Sequence, residues 1–454
     1  MATTADTPRT PLPLTPATTR LGQNIDYELF MDCVHCGLCL GSCPTYVETG
    51  NENDSPRGRI YLWRAVADGR LQLDADVRYH LDLCLECRGC ETACPSGVQY
   101  GQIIGSYKKD LATLLPPASS ATALQRWMLF NLTPYAFRMR LALAPMRLLQ
   151  GIGLGSVIRG LGRFLPRSLR LMQEIVPDLE PHYGRLPEVL EPIGPRRARV
   201  ALFLGCAADA FFPKTNLATA RVLQQNGCEV WIPRTQVCCG ALHYHAGLVD
   251  PARRFAEANC ASFGAKLDNI DAIINNAGGC GPVLKDYGHL LENSSEAARA
   301  AVFAKKVRDI SEFLVELGPV KPTHALPLKA TYHDACGLIH AQKIRQPPRK
   351  LLEMIPGLEV VPLQEGELCC GAAGSYNVTQ PAMAHDLGAR KAQNILATGA
   401  QAVFAGNVGC LLQIGRHLRE QRPDIWVAHP IDALWASYSG EMPDPKLRSA
   451  LLPR

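Results

Sequence analysis

No stretch of this 454-residue chain approaches the roughly 20 consecutive apolar residues that a helix needs to cross a bilayer. The first residues, Met1 to Arg20, are rich in Thr, Pro and Ala. They lack the basic start and continuous apolar run of a secretory leader, and read as a disordered tail. A large excess of either charge is lacking too: the formal net charge is +5, and basic residues are not interleaved with aromatics, which argues against a nucleic-acid partner. A Gly-rich dinucleotide fingerprint following a strand is also lacking. The run Gly151 to Gly155 has glycines but no clear helix cap or acidic partner, so no dinucleotide site is assigned to it. One long stretch, Leu111 to Gln173, contains no acidic residue at all.

What is abundant is cysteine, at 18 residues. Without a secretory leader these point to a reducing compartment and to metal ligation, hence to the cytoplasm or the inner face of the cytoplasmic membrane. Eight of them form two quartets of identical spacing: Cys33, Cys36, Cys39 and Cys43 before Pro44, then Cys84, Cys87, Cys90 and Cys94 before Pro95. This C-x2-C-x2-C-x3-C-P run is the sequence form of two-cluster ferredoxins, in which the fourth Cys serves the other cluster. Three thiolates in one tight turn hold three corners of a cubic [4Fe–4S] cluster, and the trailing Cys points away along the next segment. The spacing therefore groups Cys33, Cys36 and Cys39 with Cys94, and Cys84, Cys87 and Cys90 with Cys43. Gly37 and Gly89 are expected to let the backbone approach a bulky inorganic core. Structural zinc would need one quartet, not a crossed pair, and disulfides would need an oxidising compartment. Such a module relays single electrons and has no substrate pocket of its own.

A chain of this length implies two to four domains, and its composition, 47% hydrophobic and 20% charged, is globular. Residues 21–32 read as helical, Ser55-Pro56 as a capped helix start, and Asp74 to Leu83 as a further helix, giving a mainly α module over 21–110. A connector over 111–195 follows. Its acid-free part holds Arg126, Arg138, Arg140, Arg147, Arg159, Arg163, Arg167 and Arg170 among apolar residues, with Pro134, Pro145 and Pro166 expected to break it into short helices. It reads either as a peripheral membrane contact, with arginines at anionic head groups, or as a packed connector whose arginine stems lie along apolar surface.

From Arg197 the pattern changes to short apolar runs alternating with helical stretches. Strands are expected at Val200–Leu204, Glu229–Ile232, Ala272–Ile274, Ala330–Tyr332, Glu359–Val361 and Ala402–Ala405, which argues for α/β units with parallel sheets. This half is duplicated. Cys206, the pair Cys238-Cys239 before Gly240, and Cys280 recur as Cys336, Cys369-Cys370 before Gly371, and Cys410, displaced by 130 or 131 residues. Two α/β domains, 196–318 and 319–454, follow. Adjacent cysteines rarely bridge each other, so these are candidates for a further cluster or for redox thiols, with buried structural thiols as the plainer alternative. Cys228 and Cys260 have no counterpart and read as core thiols. His243, His245, His333 and His340 lie near the corners, and none is assigned a catalytic role.

Taken together these marks resemble the iron–sulfur subunits of glycolate oxidase (glycolate dehydrogenase). The residues carrying the likeness are the two quartets, Pro56 to Leu62, Cys84 to Tyr100, the run from Cys238 to His245, Cys280 to Gly288, His340 to Lys343, and Cys369 to Thr379. The layout is also similar to lactate-utilisation iron–sulfur subunits, the third subunit of anaerobic glycerol-3-phosphate dehydrogenase and heterodisulfide reductase subunits. The resemblance implies an electron-transfer subunit with two [4Fe–4S] clusters, FAD on flavoprotein partner subunits, glycolate oxidised to glyoxylate elsewhere in the complex, and a quinone or other carrier as acceptor. One departure stands out. Fuller repeats end in C-x2-C, whereas here the flanking positions are Ala277 and Val283, and Asn407 and Gln413.

Overall fold

The computed structural model describes residues 25–114, 123–152, 173–179 and 184–441, with isolated positions between 153 and 172. The expected tail, Leu21 to Asn24 and Pro166 lie outside the described residues. The chain divides into two compact units: Met1–Ser119 with His245–Leu248, and the remainder.

The first unit is built of short helices. Ser55 adopts an extended backbone and its Oγ accepts from Gly58 N at 3.0 Å, while Pro56 supplies the first helical residue of Pro56–Ala67. Asp74 caps Ala75–Asp82 by accepting from Asp76 N and Val77 N. Helix Tyr100–Leu114 closes the unit, and Trp63, Ile60, Leu81, Ile103 and Tyr107 fill its centre. Of the helix expected over 21–32, the described part holds a single turn, Glu28–Met31, and Asp26 Oδ1 accepts from Glu28 N just before it.

In the second unit, Pro134 separates Met128–Leu132 from Ala136–Gly151. Pro145, in contrast to expectation, lies inside Ala136–Gly151 without ending it. The helical hydrogen bond that a proline forgoes here is the one to the carbonyl of Leu141, an exposed residue.

Among the described residues nine strands follow, β1 Val189–Leu190, β2 Ala198–Phe203, β3 Cys228–Trp231, β4 Ala272–Asn275, β5 Val307–Asp309, β6 Lys329–His333, β7 Glu359–Val361, β8 Ala402–Ala405 and β9 Trp426–Ala428, in two sheets ordered β1-β3-β2-β4-β5 and β7-β6-β8-β9. All pairings are parallel except β1 with β3. Strand β1 is the departure from a purely parallel expectation. It, β5 and β9 span only two or three residues, too short to show a period in the sequence.

The two lobes share one apolar core, in which Leu202, Val222 and Val230 meet Leu352, Phe404 and Leu434. Contacts between them are reciprocal: helix Pro213–Gln225 packs on Pro430–Ser439, and Ile310–Leu317 packs on Gln346–Glu353. Thr215 Oγ1 donates to Asp432 Oδ2 at 3.0 Å, and Gly278 N donates to Gly406 O at 2.9 Å.

Helical Gly58 reverses an ordinary rule. Alanine normally improves a helix over glycine by about 1 kcal/mol, but a Cβ here would stand 1.9 Å from the Glu52 carbonyl oxygen. Gly58→Ala should therefore lower the first transition in calorimetry of the full chain, and by more than the about 1 kcal/mol expected for losing the cap in Ser55→Ala.

Candidate metal centres

In the first unit the thiols line two cavities. One, with about 420 Å³ of empty space, is bordered by Cys33, Cys36, Cys39, Cys90 and Cys94. The other, of about 310 Å³, is bordered by Cys43, Cys84, Cys87 and Cys90. The two loops bend alike, because His35 and Glu86 both take φ 55° and Gly37 and Arg88 take φ 87° and 59°. The left-handed position that Gly37 fills in the first loop is filled by Arg88 in the second, while Gly89, expected to allow close approach of the backbone, begins helix Gly89–Thr92. Gly37 is needed for a close approach as well, since a Cβ there would meet Arg57 Nη1 at 2.7 Å.

These thiols suit a strongly charged metal group. Burial pushes the Cys39 thiol up to about 11 and that of Cys90 well above the usual range, so protons alone would keep them neutral. A bound metal deprotonates a coordinating thiol outright, and cations stand ready to offset the resulting charge. Arg59 is 1% exposed. It donates to His80 O at 2.6 Å and Thr45 Oγ1 at 3.0 Å, and its Nη1 lies 3.8 Å from Cys43 Sγ. Burial opposes its charge, yet Tyr100, Cys84, Cys43 and Asp54 keep it firmly protonated. Glu86 pairs with Lys108 and, at 2.8 Å, with His245 Nδ1. Its burial disfavours ionisation, but those two cations outweigh it and hold the carboxyl at about 2. Arg59 sits in the Pro56–Leu62 motif, yet nothing in that motif by itself says that it faces Cys43.

In the second unit each Cys-Cys-Gly corner lies against a longer helix further on, Val249–Gly264 in the first lobe and Pro381–Ala397 in the second. Gly240 and Gly371 take φ 84° and 85°. A Cβ on either would crowd the Ala252 or Ala384 carbonyl oxygen, at 3.2 and 2.8 Å. In the first lobe, Cys206 Sγ lies 3.4 Å from Cys238 Sγ, and Cys239 interacts with both Cys238 and Cys280. In the second, Cys336 meets Cys369, and Cys370 meets both Cys369 and Cys410. Every predicted thiol of each repeat is therefore brought to its corner, and none is in a disulfide. Asn407, one of the two positions at C-x2-C spacing from Cys410, donates from Nδ2 to Cys410 Sγ at 3.4 Å. Cys228 and Cys260 are fully buried elsewhere, and burial pushes both thiols up to about 12.

The histidines separate. His243 is packed between the Phe130 and Phe255 rings. His245 meets Glu86, and His340 Nε2 lies 3.4 Å from Glu367 O. His333 joins a thiol group: its nitrogen and the sulfurs of Cys370 and Cys410 lie within 4.8 Å of one another. Sequence reasoning named His333 but did not place it with the thiols, because the neighbours that make it a ligand candidate lie 37 and 77 residues further along the chain.

The Arg-rich segment packs inward more than its composition suggests. Arg140 Nε donates to Asp209 Oδ2 at 3.0 Å, Arg147 donates to the Ala210 carbonyl, and Arg138 lies 4.1 Å over the Tyr135 ring. Among the described residues no helix is long and apolar enough to cross a membrane.

Family models match in order along the chain: a "4Fe-4S dicluster domain" at 30–98, a "Glycolate oxidase iron-sulfur subunit, linker region" at 121–176, and a "Cysteine-rich domain" at 200–285 and again at 330–415. The chain is 41% identical over 400 residues to the "Probable glycolate oxidase iron-sulfur subunit" of Bacillus subtilis (strain 168), covering 86% of this chain and 90% of that one. It is 33% identical over 391 residues to the "Glycolate oxidase iron-sulfur subunit" of Escherichia coli (strain K12), covering 83% and 88%. "Lactate utilization protein A" of Exiguobacterium sp. (strain ATCC BAA-1283 / AT1b) is 32% identical over 237 residues, 52% of this chain and 96% of that one.

A buried cation beside Cys43 stabilises added negative charge. In the iron-loaded chain, Arg59→Met should lower the midpoint potential of the centre that includes Cys43, by on the order of 60 mV for each roughly 1.4 kcal/mol of charge stabilisation lost to a one-electron couple. A redox titration followed by electron paramagnetic resonance reads the shift, and an unmoved potential at full iron content would show that the charge is screened.

Proposed function

The chain belongs to the family of glycolate oxidase iron–sulfur subunits, and from that premise we propose that it is the electron-relay subunit of a flavin-containing complex that oxidises glycolate to glyoxylate. The observation that carries the relay is the lining of the two cavities. The first three cysteines of one loop share each cavity with the trailing cysteine of the other loop, Cys94 in one and Cys43 in the other. Cys33, Cys36, Cys39 and Cys94 would hold one [4Fe–4S] cluster, and Cys84, Cys87, Cys90 and Cys43 the second. Such clusters, when bound, supply one-electron transfer. Arg57 and Arg59 offset thiolate charge, and the Glu86–Lys108 pair fixes the second loop.

Removing a hydride from a 2-hydroxy acid needs a two-electron acceptor, and this sequence carries no dinucleotide fingerprint. FAD on partner flavoprotein subunits fills that role, with a quinone or other carrier as the final acceptor and the Cys-Cys-Gly lobes on the exit side. The exposed apolar residues of Ala136–Gly151 support a peripheral contact at the inner face of the cytoplasmic membrane.

Co-purifying the chain with its partner subunits and assaying glycolate, lactate and glycerol 3-phosphate with an artificial dye tests the reading. Glycolate should be turned over by the complex and not by the isolated chain. Preference for lactate or glycerol 3-phosphate, or turnover by the chain alone, would overturn it. The crossed ligand sets make a second expectation: Cys43→Ser should weaken the signal of the centre held mostly by the second loop, whereas loss of the first-loop signal alone would refute the crossing.

A further inference from the structure

The two lobes share a backbone but not a chemistry at the end of their central strand. Phe203 pairs in register with Asn275, and His333 pairs in register with Ala405, at the same place in the two sheets. In the first lobe this position is an apolar ring, stacked 6.2 Å from Phe263. In the second it is an imidazole with no exposed surface. His333 Nδ1 lies 3.1 Å from the Gly366 carbonyl oxygen, which can only accept, so Nδ1 carries the proton and Nε2 presents a lone pair. Nε2 is buried and, among the described residues, has no hydrogen-bond partner. Fixing one imidazole nitrogen on a backbone carbonyl is how a protein orients a histidine for metal binding through the other.

We propose that the second lobe, unlike the first, holds a single divalent ion of the zinc class, ligated by His333 Nε2, Cys370 and Cys410, with Cys336 or Cys369 closing the set. The spacing suits one ion. Ligand atoms around a tetrahedral zinc stand roughly 3.4 to 3.8 Å apart, given bonds of about 2.0 Å to nitrogen and 2.3 Å to sulfur. The three ligand atoms here already lie within 4.8 Å of one another, whereas ligands spread around a whole iron–sulfur cube must stand further apart. The charge also balances. Three thiolates and a neutral imidazole around a dication leave one negative charge, and the buried ammonium of Lys391 lies within electrostatic reach of Cys370, Cys369 and Cys410. Lys391 follows Ala384, which meets Gly371, by the same seven residues that separate Asn259 from Ala252 at Gly240. The first lobe thus has Asn259 where the second has a cation, as well as Phe203 where the second has a ligand. With four protein ligands the site is closed, which marks it as structural.

The test is metal analysis and X-ray absorption on the full chain, purified without oxygen. About one zinc per chain is expected beside the iron, with one nitrogen scatterer near 2.0 Å among sulfurs near 2.3 Å. His333→Phe, which copies the first lobe, should lose the zinc while the iron content stays unchanged, and a circular dichroism spectrum like the parent's shows that the second unit is folded. His333→Cys should keep the zinc but lose the nitrogen scatterer. Absence of zinc from the parent chain, zinc retained in His333→Phe, an all-sulfur zinc shell in the parent, or about four further irons lost on His333→Phe would each overturn the proposal.

Discussion

Sulfur crowded against sulfur is the condition that the rest of the molecule accommodates. Sixteen of the 18 cysteines gather into groups, and each group draws on chain segments that are far apart in sequence. Close thiols tolerate one another while protonated, but as metal ligands they carry charge that a protein interior does not solvate. The surrounding residues answer that charge. Arg57 and Arg59 stand over the thiols of the first unit, Lys391 over those of the second lobe, and amide donors such as Asn407 Nδ2 and Gly240 N reach individual sulfurs. The backbone answers the crowding. Left-handed residues turn each cysteine loop of the first unit, and a glycine with positive φ lets each Cys-Cys corner meet a longer helix further on.

Duplication explains why the two lobes look alike and the shared core explains why they stay alike. Residues of both sheets fill one apolar cluster, and the helices between them pack reciprocally, so a backbone shift in one lobe would be felt in the other. Side chains at the corner are under no such restraint. Phe203 and His333, or Asn259 and Lys391, differ while the register around them is kept. Two sites of common descent can therefore be loaded differently without any change in how the chain folds.

Much of this was legible in advance, for definable reasons. Cysteine spacing is a local property of the chain, so both quartets and both repeats could be read directly, as could the strands β2, β3, β4, β6, β7 and β8 to within two residues. What could not be read depends on distant neighbours. Strands β1, β5 and β9 exist because a longer strand is there to pair with. Pro145 stays inside a helix that its residue type would be expected to end. Arg88 takes a positive φ that nothing in its residue type announces. His333 is one histidine among several until the fold sets it beside Cys370 and Cys410.

The Arg-rich segment shows the same limit from the side of composition. Counting charges predicts a basic surface, yet Arg140 and Arg147 turn toward Asp209 and the Ala210 carbonyl, and Arg416 meets Glu174 just beyond the acid-free stretch at 2.6 Å. Much of what helix Ala136–Gly151 leaves outside is apolar, with Arg138 exposed among it: Phe137 is 74% exposed, Leu141 66% and Leu148 69%. An attachment made through such a face draws on buried apolar area, about 25 cal/mol for each Å² covered, and is little weakened by salt. An attachment made through free arginines would be screened within a Debye length of roughly 8 Å at physiological ionic strength. The inward pairing of these arginines therefore shifts the balance of any contact at this helix from charge toward hydrophobic burial.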